Sequence, residues 1–400
     1  MNALKLDQTV FGRGKSFLAH AIESAEDTLQ NRISGARMLV IGSAGSIGSA
    51  FVKVLSGYAP KALWLVDPSE NNLVEVVRDL RSSGISLPDD FGTVAIGFGS
   101  PEFEAFLGSQ NTFDYVLNFA ALKHVRSERD PFSLMRLIDV NILCNQQLIE
   151  QCRRTGVKKV FAVSSDKAVN PGNLMGASKA FMERLFLNHA DQLPFSSARF
   201  ANVAFSDGSL LHGFLRRIEK RQPLSGPSDI RRFFINHQEA GELCLLSCFA
   251  GQNKEIFVPR MEPEEYLTFF HEIAERVLDF YGYQALMCDS EEEARQRAAS
   301  MKEGDKDWPC FFSSSNTSGE KPFEEFIGRN ERVDDARYDA IRVITDPTTA
   351  DGDKIEDACQ QLRALRESGS WEKRDIVAIM RTFVPELEHL ELSSNLDQKM

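Results

Sequence analysis

From Arg37 onward the chain alternates between two hydrophobic rhythms. Nearly continuous apolar runs of strand length occur at Met38–Ile41, Leu63–Val66, Thr93–Ile96, Tyr115–Phe119, Val160–Val163 and Ser196–Phe200. Between them, Ile47–Leu55, Asn71–Leu80, Phe132–Cys152 and Leu174–Asn188 carry apolar residues at helical spacing. Strands apolar on both faces, separated by amphipathic helices, predict an α/β fold with a doubly wound parallel sheet. Ahead of it, Phe17, Ala19, Ile22, Ala25 and Leu29 mark a helix in an N-terminal arm, residues 1–36, packed outside the sheet.

After Asn202 the alternation loosens. Helices are expected at Ser209–Arg221, His237–Phe249 and Pro263–Tyr281, with a short strand at Glu255–Val258. Pro309–Gly319, rich in Ser, Asn and Thr, reads as a loop, and Asp353–Arg366 and Trp371–Phe383 as helices. Ser290 with Glu293 forms a capping box at a helix start. The pattern divides the chain into the arm, a sheet domain at 37–200, a smaller mixed region at 201–285 and a C-terminal extension at 286–400. No internal repeat is found.

Composition narrows the classes of partner. The net charge is −12, and the residues from Asp289 onward hold 26 acidic and 16 basic side chains, so the extension carries most of it. An acidic surface repels phosphate backbones, and no nucleic acid partner is expected. These charges are interspersed with apolar residues and read as a solvated helical surface. No segment approaches the ~18 uninterrupted apolar residues of a membrane span, so no membrane contact is expected. Met1–Lys15 has neither the apolar core nor the cleavage site of a secretion signal. The seven cysteines include no C-x-x-C pair. They read as reduced, buried thiols of a cytoplasmic protein, with no metal site.

Candidate chemistry begins at the end of the first strand. In Met38-Leu39-Val40-Ile41-Gly42-Ser43-Ala44-Gly45-Ser46-Ile47-Gly48, a glycine-rich turn joins a strand to a helix. Gly42 allows the tight turn, Gly45 the close approach of a pyrophosphate, and Gly48 close packing of helix on strand. The phosphates would lie against the helix start at Ser46 and Ile47, where free N–H groups and the dipole favour negative charge. Asp67 ends the second strand, where a carboxylate accepts hydrogen bonds from adenosine ribose hydroxyls and repels a 2′-phosphate. That favours NAD over NADP. Asp67 as a cap for the segment after Pro68 is a compatible reading.

The G-x-x-G-x-x-G spacing resembles the extended short-chain dehydrogenase/reductases, which implies a Rossmann-type NAD-binding domain at 37–200 and a substrate-binding region at 201–285. Asn118-Phe119-Ala120-Ala121 matches a turn that lies beside the cofactor in that class, and Asn141 lies where the class keeps an asparagine. The resemblance sharpens at Ala120-Ala121-Leu122-Lys123-His124-Val125, Ser165-Asp166-Lys167-Ala168-Val169-Asn170-Pro171, Met175-x-x-x-Lys179, Arg199-Phe200-Ala201-Asn202-Val203 and Arg231-Arg232-Phe233-Phe234. These are similar to the nucleotide-sugar 4,6-dehydratases of polysaccharide and flagellin-glycan pathways, over roughly residues 37–260. Members with this pattern act on UDP-N-acetylglucosamine.

The resemblance implies that Lys167 is the C5 base and Asp166 the acid at O6, with Ser165 orienting the C4 oxygen. Lys179 would hold the nicotinamide ribose. Lys123, His124, Asn202 and Arg232 would face the substrate, a UDP-linked N-acetylhexosamine. Arg232 as an ion pair and His124 as a structural hydrogen bonder are the alternatives. Elimination needs a neutral amine and a protonated carboxyl. A dry site favours both, while their mutual attraction opposes both. Met175 stands where the wider class has its tyrosine, and a thioether cannot act as a base. Gly97-Phe98-Gly99 stands where relatives place an aspartate facing the adenine. A 4-epimerase and a catalytically inactive NAD-binding regulatory protein are the rival functions. The class commonly forms dimers through helices like Phe132–Cys152 and Leu174–Asn188, so a homo-oligomer is implied.

Overall fold

The computed structural model describes residues 3–315 and 323–388. Six parallel strands form its centre: β1 (Arg37–Ile41), β2 (Ala62–Val66), β3 (Asp90–Val94), β4 (Tyr115–Asn118), β5 (Lys159–Ser165) and β6 (Phe195–Phe200). They lie in the order β3-β2-β1-β4-β5-β6, the doubly wound parallel sheet expected from the apolar runs, with the chain doubling back between β3 and β4. Alternate side chains of β1 serve opposite faces. Leu39 and Ile41 join one core cluster, and Met38 and Val40 the other.

Helices cover both faces. α1 (Ala3–Phe11) and α2 (Ala19–Ile33) precede the sheet; α3 (Ser46–Ser56), α4 (Glu70–Ser82) and α5 (Pro101–Ser109) follow β1, β2 and β3. α6 (Pro131–Ile138) and α7 (Cys144–Thr155) lie between β4 and β5, and α8 (Leu174–His189) between β5 and β6. The helix start signals are local. Ser69, Ser100, Asp130 and Asn173 each accept a hydrogen bond from a first-turn N–H.

Beyond β6 come β7 (Asn202–Val203), α9 (Leu210–Glu219), β8 (Leu224–Pro227), β9 (Arg231–Ile235), α10 (His237–Leu245) and β10 (Ile256–Pro259). Next are α11 (Pro263–Tyr266), β11 (Leu267–Phe269), α12 (Phe270–Phe280), β12 (Gln284–Met287), α13 (Glu291–Ser300) and β13 (Asp307–Ser313). The described chain closes with β14 (Arg332–Asp334), β15 (Ile341–Asp346), α14 (Gly352–Glu367) and α15 (Lys373–Phe383). β10 pairs parallel with β6, and β15 and β14 add antiparallel strands outside it, completing a nine-stranded sheet. Two three-stranded sheets, β11-β9-β7 and β12-β13-β8, lie outside it, and the second joins the mixed region to β13 of the C-terminal extension.

Several expected boundaries are corrected. The strand placed at Thr93–Ile96 runs Asp90–Val94, on the sheet edge, where Gly92 makes room for the Trp64 ring. The single helix expected over Phe132–Cys152 is interrupted by a π turn at Asp139–Leu143, and a second π turn, Leu246–Ala250, continues α10. The helix expected over Pro263–Tyr281 is split by β11, because Leu267–Phe269 finds the open edge of β9. Pro309–Ser313 is no loop. It belongs to β13, which pairs on both sides and buries Trp308 and Cys310; the local proline and serines concealed that pairing. Residues 316–322, with the end of the expected Pro309–Gly319 loop and the Glu320-Lys321 that follows it, lie outside the described residues.

The last two helices reach back onto the sheet domain. Ile355, Cys359, Leu362, Ile376, Met380 and Phe383 share one core cluster with α8. His189 contacts Glu356 at 2.9 Å, and Arg184 donates to Phe383 O at 3.0 Å. Every α8 residue from Leu174 to Leu187 is buried within this single chain. A subunit contact through Leu174–Asn188, as the resemblance implied, therefore finds that helix already covered.

Candidate active site

The strand ends of the parallel sheet place two groups of residues next to one another. At the end of β1, Gly42 has φ +72°, and a Cβ there would lie 2.5 Å from the Ala120 amide nitrogen. A Cβ on Gly48 would lie 2.1 Å from Gly42 O, so the helix packs on the turn only through glycine. Gly45 is different: a Cβ there meets only Gly42 O, at an ordinary 3.5 Å. The protein itself does not demand glycine at that position, whereas a closely approaching ligand would. Gly45 also starts α3 without a side-chain cap, leaving first-turn N–H groups of Ser46 and its neighbours for an anion. The loop after β7 closes on this turn, with Asp207 N donating to Ser46 Oγ at 2.9 Å.

Asp67 is buried beside the turn. Its Oδ2 accepts from Ala44 N (3.1 Å) and its Oδ1 from Ser69 N (2.9 Å). It braces the glycine-rich turn and the start of α4, and a carboxylate retains lone pairs for a ribose hydroxyl. These features fit a dinucleotide.

On the other side, Ala120 N donates to Asn118 Oδ1 (2.9 Å), and Asn118 in turn donates to Asn145 Oδ1 (2.8 Å). Asn141 sits in the first π turn. It bonds both backbone groups of Leu122 (2.9 and 3.0 Å) and donates to Ser178 Oγ (2.9 Å). The widened turn thus ties the β4 loop to α8, in keeping with the tendency of π bulges to sit at functional sites.

A cavity of about 310 Å³ opens beyond β5. Ile47, Lys123, His124, Ser165, Asp166, Lys167, Met175, Lys179 and Asn202 all line it. Asp166 is 2% exposed, and its Oδ1 accepts from Ser165 Oγ (2.7 Å), Lys167 N (2.8 Å) and Lys167 Nζ (3.1 Å). The Lys167 side chain is 23% exposed and reaches a second carboxylate, Glu324 Oε1, at 3.9 Å. Gly176 lets α8 approach this turn, since a Cβ there would lie 2.3 Å from Lys167 O. The helix start is held by Glu128, whose Oε1 accepts from Met175 N at 2.7 Å.

Lys179 is buried and donates to Val163 O at 3.0 Å. Burial brings its amine down to about 8, opposed by the Glu183 carboxylate. Lys123 and His124 are both lowered by partial burial, and Lys123 also lowers His124. Asn202 donates to Phe233 O at 3.4 Å. Of the catalytic and substrate-facing candidates, Arg232 is the one that does not line this cavity. It is buried on β9, with Nη1 donating to Arg231 O at 2.9 Å.

Residues 38–346 match the family model described as polysaccharide biosynthesis protein. The chain belongs to that family. An uncharacterized membrane protein of Methanocaldococcus jannaschii is 33% identical over 255 residues, 62% of this chain and 73% of that one. The inverting UDP-N-acetylglucosamine 4,6-dehydratase of Campylobacter jejuni is 30% identical over 250 residues, 60% of this chain and 72% of that one. A UDP-glucose 4-epimerase of Rickettsia bellii is 29% identical over 242 residues, 56% and 65% of the two chains. Among solved structures, Pen from Bacillus thuringiensis superposes with a TM-score of 0.64 at 20% identity, over 83% of this chain and 99% of that one. The fold is that of the extended short-chain dehydrogenase/reductases. No helix among the described residues is long and apolar enough to cross a membrane, and none of their acidic, cysteine and histidine side chains cluster as metal ligands.

In this family member a buried ion network stands behind the cavity. Arg199 Nε and Nη2 donate to Glu183 (2.9 and 2.6 Å), and both terminal nitrogens donate to Glu331 (2.6 and 2.8 Å). Ser164 Oγ donates to Glu183 as well. Sequence reasoning missed Glu128, Glu183, Glu324 and Glu331. Only Glu183 carried a signal, one helical turn beyond Lys179; the others come from distant chain.

Proposed function

We propose that this chain is an NAD-dependent nucleotide-sugar 4,6-dehydratase, converting UDP-N-acetylglucosamine or a related NDP-N-acetylhexosamine to the 4-keto-6-deoxy sugar. The observation that carries this reading is the Asp166–Lys167 pair, hydrogen-bonded at 3.1 Å in a cavity that also holds Lys179. The glycine-rich turn and Asp67 would hold NAD, which supplies hydride removal at C4 and hydride return at C6.

The chain's own groups do the rest. Proton transfer along the existing Lys167–Asp166 hydrogen bond turns ammonium and carboxylate into amine and carboxylic acid, with no change of net charge. Displacement of water by substrate favours that neutral form. Once C4 is a ketone, its neighbouring C5–H is acidic. Lys167 takes the C5 proton, the C5–C6 double bond forms, and O6 leaves as water with the proton of Asp166; as C6 receives hydride, the Lys167 ammonium returns a proton to C5. Ser165, which donates to Asp166 at 2.7 Å, would orient the C4 oxygen. Met175 cannot accept the C4 hydroxyl proton. Lys179, whose burial brings its amine down to about 8, would take that proton.

The test is incubation with NAD and UDP-N-acetylglucosamine, read by mass spectrometry. A product lighter by one water is expected. An isomer of equal mass would make the chain a 4-epimerase, and unchanged sugar with bound NAD would make it a regulatory NAD-binding protein. GDP- and CMP-linked hexosamines in parallel identify the nucleotide.

A further inference from the structure

Residues 323–331 form an irregular strap between the mixed region and β14, and polar anchors fix its path. Asn170 Nδ2 donates to Glu325 Oε2 (3.1 Å), and Arg199 Nη1 to Phe326 O (3.0 Å). Glu331 takes two bonds from the Arg199 guanidinium and one from Gly328 N (2.7 Å), turning the strap tightly at its far end. The Phe326 ring packs on Phe233 at 5.4 Å. A strap held at so many points delivers Glu324, 7% exposed, to 3.9 Å from the Lys167 amine.

That amine therefore has two carboxylates within reach, and the elimination uses only Asp166. Lys179 from α8 and Lys123 and His124 from the β4 loop line the same cavity and carry the opposite sign when protonated. We propose that Glu324 is a positioning residue: it keeps Lys167 in place while Asp166 turns its proton to O6, and it stabilises the positive charge that appears on Lys167 as the C5 proton arrives. The inference rests on the dehydratase reading. Asp166 releases the amine at the moment the acid donates to the leaving oxygen. Without a second anchor, the base would be least constrained when its position matters most. A fixed carboxylate about 4 Å away acts on the developing ammonium without reorganising.

Glu324→Gln and Glu324→Asp, each checked for a wild-type melting curve, test this in two ways. In Glu324→Gln, kcat for water loss is expected to fall about tenfold with KM within about twofold, after discounting a unit charge at this distance for solvent access. Exchange of the C5 hydrogen with heavy water should fall in step, while the rise of reduced-nicotinamide absorbance on mixing with substrate stays at the wild-type rate. Glu324→Asp should restore most of the loss. Acetic anhydride labelling of Lys167, followed by peptide mass spectrometry, needs no turnover. It should run about fivefold faster in Glu324→Gln than in wild type.

Equal slowing of cofactor reduction and water loss, unrescued by aspartate, would reduce Glu324 to a structural residue and overturn the proposal. So would wild-type rates and wild-type labelling in Glu324→Gln. If wild-type protein fails to dehydrate any hexosamine tested, the dehydratase reading falls, and the labelling comparison still decides whether Glu324 governs the amine.

Discussion

The parallel half of the sheet and the C-terminal stretch from β12 onward are built on different principles. Across β1–β6 every pairing is parallel, and each strand from β1 to β5 is followed by helices that supply most of their own start signals. From β12 onward the edge strands β12 and β14 pair only with their chain neighbours, but the strands inside them reach distant segments. β13 lies between β12 and the distant β8, β15 runs antiparallel beside β10, and α14 and α15 cover α8. The first region presents Asp166, Lys167 and Lys179. The second supplies Glu331 to the buried Arg199 and Glu324 to Lys167. The reactive half is thus not self-sufficient: an arginine in its core is neutralised partly from 132 residues downstream.

That contrast can be broken at several points. The largest effect belongs to Lys167→Ala, expected to slow water loss by about 10²–10⁴-fold while NAD binding, followed by fluorescence quenching, is retained. Turnover near the wild-type rate would move the chemistry out of the parallel half. Arg199→Met leaves Glu183 and Glu331 buried without their cation, and urea unfolding should show a loss of about 3–5 kcal/mol. A loss below about 1 kcal/mol would mean that the two regions are joined by packing alone.

Leu362→Ala in α14 should cost about 2–5 kcal/mol, still in one cooperative transition. A separate early transition for the last two helices would show that they are an appendage, not part of the shared core. Gly45→Ala is expected to weaken NAD binding about tenfold with an unchanged melting temperature, whereas Gly42→Ala, at φ +72°, should lower the melting temperature. Equal melting losses in the two variants would remove the distinction between a ligand-driven and a fold-driven glycine.

The smallest effect is a pH dependence. Burial brings Lys159 down to about 8, below the roughly 10.4 of an unfolded lysine. The unfolded chain then binds more protons between these values, so this side chain's contribution to stability rises with pH across that window. Urea unfolding of wild type and Lys159→Met at pH 7, 8.5 and 10 isolates it from the buried thiols. The wild-type advantage should grow with pH, and a constant difference would contradict the burial.

The core of the site was legible because its residues are near one another in sequence. Asp166 and Lys167 are adjacent, Lys179 is one turn beyond Met175, and the glycines sit in one turn. Arg232 was placed with them by resemblance, yet its strand buries it beside β11. The π turn that presents Asn141 was missed, since apolar residues continue through Asp139–Leu143 with no proline or glycine to mark the break. β13 was hidden for another reason. Its Pro309 and the serines that follow read as a turn, and only its two neighbours make Pro309–Ser313 a strand.

Taken alone, the sequence determined the parallel sheet, the order of its helices, the dinucleotide turn and the acid–amine pair, because each is encoded within a few consecutive residues. Tertiary structure decided which carboxylates meet Arg199 and Lys167, which strands extend the sheet, and that α8 is covered from within the chain. The reason is physical. Periodicity and turn chemistry act over one or two turns, whereas a buried charge or an open strand edge is satisfied by whichever distant segment the closed fold brings within about 4 Å.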